Sequence, residues 1–250
     1  MEYEKIAPQF GSWAPKFKKF IESPDFDDIF RFLKSEARRP PEGEGKIICP
    51  AHPDLFRAFR ETPYENLRVI FLLQDPYPWV KGRKPIADGL AMSCSITRVC
   101  QPSLDLFYEG IEDDLGKKVV REPDLKYLAD QGVLLLNSSL TVEMNKQSSH
   151  TGIWDKFTKY LIEEVINFYN QGLLYISFGN NAHVMAKAVM PFLHYGFEVE
   201  HPAHAARKNR AWNHQNIFRK VNRILRECNN DEILWDYGDY KTAIEASKSL

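Results

Sequence analysis

Four short apolar runs stand out in an otherwise mixed chain: residues 67–73, 133–136, 173–178 and 197–200. Short apolar, β-branched runs of this kind are the mark of buried strands. Between them, apolar residues recur at helical spacing. The stretch 154–169 is the clearest, with Phe157, Tyr160, Leu161, Val165, Ile166 and Phe168 forming a broad stripe. Residues 182–189 and 213–228 read as further helices; in the second, Ile217, Val221 and Leu225 share one face. Strands alternating with helices predict an α/β fold, a three-layer α/β/α sandwich around a central, mainly parallel four-stranded sheet. Upstream, residues 13–21 and 25–36 read as helices. A loop with paired prolines and two glycines follows at 38–45. The strand at 67 comes too soon after it for a separate N-terminal core. The chain therefore reads as a single domain over 1–250, with a helical part at 1–60 packed on it and a C-terminal extension at 236–250.

In open parallel sheets, ligands bind outside the carboxyl ends of the strands. Gln74-Asp75-Pro76-Tyr77 follows the first run and Asn137-Ser138-Ser139 the second. Gly179-Asn180-Asn181 follows the third and His201-Pro202-Ala203-His204 the fourth. A parallel sheet brings these turns to one edge, so a carboxylate, an amide, a glycine turn and an imidazole converge there as an active-site constellation. Each alone has a structural explanation: Asp-Pro starts turns, Asn137 caps the next segment, and Gly179 serves a turn. Their placement at four successive strand ends is what favours a site.

Composition narrows the classes. Hydrophobic residues make up 44% and charged residues 27% of 250, as in a soluble globular protein. No apolar run approaches the ~20 residues of a membrane helix. The first residues lack a basic segment followed by an apolar one, so an intracellular, cytoplasmic protein is expected, nuclear in a eukaryote. Cys49, Cys94, Cys100 and Cys228 form no CxxC pair, which argues against an iron–sulfur cluster and for free thiols in a reducing compartment. No metal site or cofactor is expected. The net charge of −1 announces no nucleic-acid partner globally. Locally, 201–225 carries Arg207, Lys208, Arg210, Arg219, Lys220 and Arg223 without an acid. By itself that is a solvated basic face.

Taken in order, these segments resemble the family 1 uracil-DNA glycosylases over nearly the whole chain. The family's Gly-Gln-Asp-Pro-Tyr-His is matched by Leu73-Gln74-Asp75-Pro76-Tyr77-Pro78, and its Gly-Leu-Cys-Phe-Ser by Gly89-Leu90-Ala91-Met92-Ser93. Its proline-rich DNA loop is similar to Gln101-Pro102-Ser103-Leu104, and its asparagine strand to Gly132–Asn137 followed by Leu140-Thr141-Val142. Ser149-His150, then Trp154-Asp155-Lys156-Phe157-Thr158, Gly179-Asn180, His201-Pro202-Ala203-His204-Ala205-Ala206 and Ile233-Leu234-Trp235 complete the series. Leu73, Pro78, Met92, Ala203 and Ala206 depart from the family pattern. The duplex-wedging leucine falls at Ala205, which is too short to wedge. Pro78 and the His201–Arg207 run resemble the poxviral branch.

The resemblance implies hydrolysis of the bond between uracil and deoxyribose in single- and double-stranded DNA, after the nucleotide flips out. Asp75 is expected to stay ionised among polar backbone donors and orient water. His201 is expected to donate to uracil O2 from a neutral imidazole. Gln74, Tyr77, Met92 and Asn137 are expected around the base: Asn137 reads its edge, Tyr77 excludes a 5-methyl group, and Met92 stands where the family stacks a Phe. Pro102, Ser103, Gly179, Asn180, Ala205, Arg207 and Lys208 are expected at the DNA, with Arg207 in place of the wedge. The resemblance also admits a proteinaceous uracil-glycosylase inhibitor as a partner of a monomer that binds no membrane. Alternatives are a protein of this fold that binds DNA or a replication partner with catalysis lost or secondary, a glycosylase for another lesion, and an unrelated nucleotide hydrolase.

Overall fold

The computed structural model describes residues 2–37, 45–166, 173–189 and 195–249. The expected loop at 38–45 therefore lies almost wholly outside the described residues, as do Phe168 and Tyr169 of the expected helix at 154–169.

The helices are α1 (Tyr3–Phe10), α2 (Ala14–Ile21), α3 (Pro24–Ala37), α4 (Arg57–Glu61), α5 (Pro102–Leu115), α6 (Lys126–Ala129), α7 (Thr151–Tyr160), α8 (Asn180–Val189), α9 (Pro202–Arg207), α10 (Ile217–Glu227) and α11 (Tyr237–Ser247). The strands are β1 (Ile48–Cys49), β2 (Val69–Leu73), β3 (Val80–Lys81), β4 (Lys84–Pro85), β5 (Val133–Asn137), β6 (Val142–Glu143), β7 (Leu174–Phe178) and β8 (Tyr195–Val199). Four of them form the central sheet in the order β5-β2-β7-β8, every pair parallel. All five positions of β2 and of β5 are buried, which is why these runs show no alternation. The edge strand β8 is mostly exposed until Val199.

The register fixes the site. Leu73 pairs with Asn137, and Leu72 with Ser177. The chain therefore leaves β2, β5 and β7 at one edge, and β8, paired with β7 up to Phe178–Val199, delivers His201 to the same edge. Helix α7 continues as a π-helical turn over Leu161–Ile166. The N-terminal helices join the main core through rings: Phe17 stacks on Phe157 with centroids 5.1 Å apart, and Phe10 lies 4.2 Å from Phe56. One contiguous set of buried side chains runs from Ile6 to Trp235.

Two expectations change. Gln101-Pro102-Ser103 is not a loop: Pro102 begins α5, where a missing N–H costs nothing and its fixed φ suits the helix. The helix expected from 213 starts at Ile217, because Asn216 adopts a left-handed conformation (φ 56°). The acid-rich tail folds as α11, whose residues are all at least partly exposed, with Tyr237 and Tyr240 packed against Tyr127. Among the described residues, no helix is long and apolar enough to cross a membrane.

Candidate active site

Three of the four strand-end turns, those after β2, β7 and β8, line a cleft of about 1060 Å³ that contains Gln74, Asp75, Tyr77, Ser148, Asn180 and His201. Its floor is the stiff turn after β2. Oδ2 of Asp75 accepts from the Ser148 backbone amide at 2.9 Å, the Ser148 hydroxyl at 3.4 Å and the Gln74 side-chain amide at 3.1 Å. Oδ1 is buried and has no protein partner among the described residues. Burial pushes the Asp75 carboxyl above the ordinary carboxylate range, and the Ser148 and Gln74 donors pull it back. The expected environment of several backbone donors is thus reduced to one, and desolvation dominates.

Gln74 is held at both ends of its amide. Its nitrogen donates to the Ser148 hydroxyl at 2.6 Å and its oxygen accepts from Asn181 at 2.7 Å. Three connections of the fold are thereby tied together: the turn after β2, the segment before α7 and the start of α8. Ser148 sits at φ 60°, a left-handed conformation that aims its amide at Asp75. The neighbouring Ser149 and His150 serve structure. Ser149 accepts from the Glu143 amide at 2.8 Å, and the buried His150 contacts Thr141, which also accepts from the Trp154 indole.

His201 caps α9, and its Nδ1 accepts from the Ala203 backbone amide at 3.0 Å. An amide N–H can only donate, so Nδ1 carries the lone pair and the ring proton resides on Nε2. Burial, then the Arg207 guanidinium, lower the His201 pKa to about 4. At neutral pH the ring is therefore an uncharged donor through Nε2. Gly179 makes room for it: a Cβ there would stand 3.1 Å from the His201 Cβ, and φ +83° already excludes most side chains.

Tyr77 is clamped through its hydroxyl, 3.1 Å from the Met92 carbonyl and 2.7 Å from Ser103 Oγ. Burial drives its phenol upward, so it stays protonated. Met92 has φ 63°, which presents its carbonyl to Tyr77, while its side chain is 5% exposed in the core and does not line the cleft. Its expected place on the base is therefore corrected to a main-chain role. Ser103 lines the cleft beside Pro102, and its buried hydroxyl is engaged with Tyr77. Ala205 is fully buried in the core, so its methyl cannot reach DNA. Asn137 is 6% exposed at the end of β5, outside the cleft wall, and its buried Oδ1 has no partner among the described residues.

Pro102, Asn180, Arg207 and Lys208 are exposed, and all but Lys208 line the cleft with Gly179. Arg210 is turned to Glu200, which also takes His204 at 2.9 Å. Ser148, Asn181 and Trp79 are cleft residues that the motifs did not name. Trp79 had a legible signal, an aromatic side chain between Pro78 and a basic stretch. Asn181 sits in the turn after the third apolar run, but its bond to Gln74 spans 107 positions and has no local signal; Ser148, 73 positions from Asp75, had none.

No family model matches the chain. A uracil-DNA glycosylase of Coxiella burnetii is 34% identical over 227 residues, 90% of this chain and 93% of that protein. One of Bacillus cytotoxicus is 32% identical over 226 residues, 90% and 95%. The structure of mimivirus uracil-DNA glycosylase superposes with a TM-score of 0.80 at 24% identity, covering 94% of this chain and 90% of that one. A mimivirus UNG variant has been solved in complex with UGI. The structural likeness speaks for the fold, and the identity over nine-tenths of the chain speaks for the family. This chain belongs to the uracil-DNA glycosylase family.

Proposed function

We propose that this chain excises uracil from DNA with Asp75 and His201 acting on opposite sides of the scissile bond. Departure of the base leaves an oxocarbenium-like sugar and a uracil anion. Asp75 supplies negative charge beside the sugar and orients water toward C1′; its raised pKa also makes it a better acceptor for the water's proton. His201 donates from Nε2 to O2 as charge builds there. The observation that carries this reading is the Ala203-to-His201 hydrogen bond, which leaves the ring proton on the nitrogen free to donate. Asn137 fits the base edge, because a buried Oδ1 without a partner calls for a donor such as uracil N3–H. Cytosine offers an acceptor there and would leave both groups mispaired. Tyr77, locked by Ser103 and Met92, is placed to exclude the methyl group of thymine.

For DNA, we assign Pro102, Gly179 and Asn180 to the rim and Arg207 and Lys208 to phosphates, with Arg207 also the candidate wedge. The chain is read as one domain that works as an intracellular monomer, in keeping with its free cysteines. A proteinaceous inhibitor like that on the mimivirus UNG is a fitting partner. The test offers single- and double-stranded oligonucleotides containing U, T or C and measures free base, with Asp75→Asn and His201→Ala beside the natural chain. Uracil release that both substitutions suppress is the expected result. Absence of release by the natural chain would return the DNA-binding alternative.

A further inference from the structure

Between Pro76 and Ala87 the chain has no acid, but it carries Lys81, Arg83 and Lys84. This segment forms the β3–β4 hairpin, turned at Gly82 (φ 64°). Lys81 and Lys84 are directly paired across it, both exposed, and neither has an ion-pair partner among the described residues. Like charges placed opposite one another weaken a ladder, so this pair does not serve the hairpin's own stability. An anion lying across them would convert the repulsion into binding.

The base of the hairpin carries Trp79, which is 44% exposed and forms part of the cleft wall. The other four tryptophans are buried. Its ring stacks on Tyr77, with centroids 5.8 Å apart and planes at 26°. Its backbone is fixed: the Trp79 carbonyl accepts from the Ile86 amide at 3.0 Å, and the Pro78 carbonyl accepts from the Asn145 amide at 2.7 Å. Val80 and Tyr77 pack on a small buried group of Cys49, Ala87 and Val142. A large apolar ring is thus held rigidly in the open, next to the tyrosine assigned to the base and below two unpaired cations.

We propose that Trp79 and the Lys81–Lys84 pair form a docking platform for the DNA strand flanking the flipped uracil. Trp79 stacks on an unpaired neighbouring base, and the two lysines straddle the phosphates beyond it. Aromatic faces beside a cationic track are how proteins hold single strands without reading sequence. The assignment rests on the uracil-excision reading for the identity of the strand, but the platform binds DNA with or without uracil.

The experiment titrates the full chain with a uracil-free oligothymidylate, following intrinsic tryptophan fluorescence and the salt dependence of affinity. Stacking on Trp79 quenches emission, and Trp79→Phe abolishes that quench while retaining most of the affinity. Trp79→Ala weakens binding about tenfold. Lys81→Ala and Lys84→Ala each make the plot of log K against log salt shallower by about 0.7. Quenching that persists in Trp79→Phe, or a slope unchanged in the lysine variants, overturns the platform. Failure of the natural chain to release uracil while these binding effects remain counts against the excision reading alone.

Discussion

The amide of Ser148 donates to Oδ2 of Asp75 at 2.9 Å, from a backbone held at φ 60°. Of the donors that oppose the desolvation raising the carboxyl's pKa, this backbone bond comes first, ahead of the Ser148 hydroxyl and the Gln74 amide. Ser148→Pro removes the N–H and forces φ to about −65°, so Asp75 loses its backbone donor and its position. Uracil release should fall about a hundredfold, since a displacement of about 1 Å at the reacting groups costs that much. The acid limb of the rate profile should also move to higher pH, because activity is lost as the carboxylate protonates and its pKa rises further without the donor. Ser148→Gly keeps the amide and suits the left-handed backbone but loses the hydroxyl that holds Gln74, so its release should fall less than that of Ser148→Pro. Single-turnover rates from pH 4 to 8 separate the two variants.

Desolvation also sets the charge state of His201. Burial comes first and the Arg207 charge second in lowering its pKa to about 4. Arg207→Ala should therefore raise the midpoint, to a value still below the ordinary 6.5 because burial remains. Titration of the His201 ring protons by NMR reads this directly. The same depression acts on stability. Below about pH 6.5 the unfolded chain takes up a proton that the folded one refuses. Stability contributed by the neutral ring is thus present above 6.5 and is lost as pH falls toward 4. Urea unfolding of His201→Gln should lack this component of the acid slope.

The strands of the sheet were legible because β2 and β5 are buried on both faces, which leaves uninterrupted apolar runs. Their ends were legible too, since a parallel sheet delivers every carboxyl end to one edge. What local pattern could not reveal are bonds between connections. Nothing in the spacing of Ser148 and Asn181 announces that both hold Gln74. Pro102 suggests a loop by composition, yet it opens α5 at the one position where proline suits a helix. Ala205 stood in line with a DNA-facing segment, but α9 is short and turns that methyl into the core. The motif around Met92 points to its side chain, whereas the contact the structure shows with Tyr77 is through its carbonyl.

Ser103 holds the far side of the Tyr77 hydroxyl at 2.7 Å. Ser103→Ala leaves the Met92 carbonyl as the remaining partner at 3.1 Å. With one anchor gone, the ring can yield to a 5-methyl group. Uracil release should change little, while thymine release rises from background, so discrimination falls. Tyr77→Ala should go further in the same direction and also slow uracil release, because the base loses its wall. Competition assays on oligonucleotides with one U or one T give both numbers. Unaltered discrimination in Ser103→Ala would mean that Met92 and the Trp79 stack suffice to hold the ring.

Gly179 tests the placement of His201 without touching its chemistry. An alanine there meets two costs: a left-handed φ of +83°, and a Cβ 3.1 Å from the His201 Cβ. The first destabilises the fold by roughly 1–2 kcal/mol, because a left-handed backbone brings Cβ too close to the following carbonyl oxygen. The second is relieved only if His201 moves, which misdirects its Nε2–H from O2. Gly179→Ala should therefore lower the rate of release by one to two orders of magnitude on the scale of a lost oxyanion-type donor. Affinity for uracil-free DNA should change far less. The His201 pKa separates displacement from a general loss of folding. In a folded variant with a displaced, better-solvated ring, the midpoint rises from about 4. A Gly179→Ala chain with the natural midpoint and the natural rate would show that the turn after β7 absorbs the extra methyl and that the glycine serves the backbone alone.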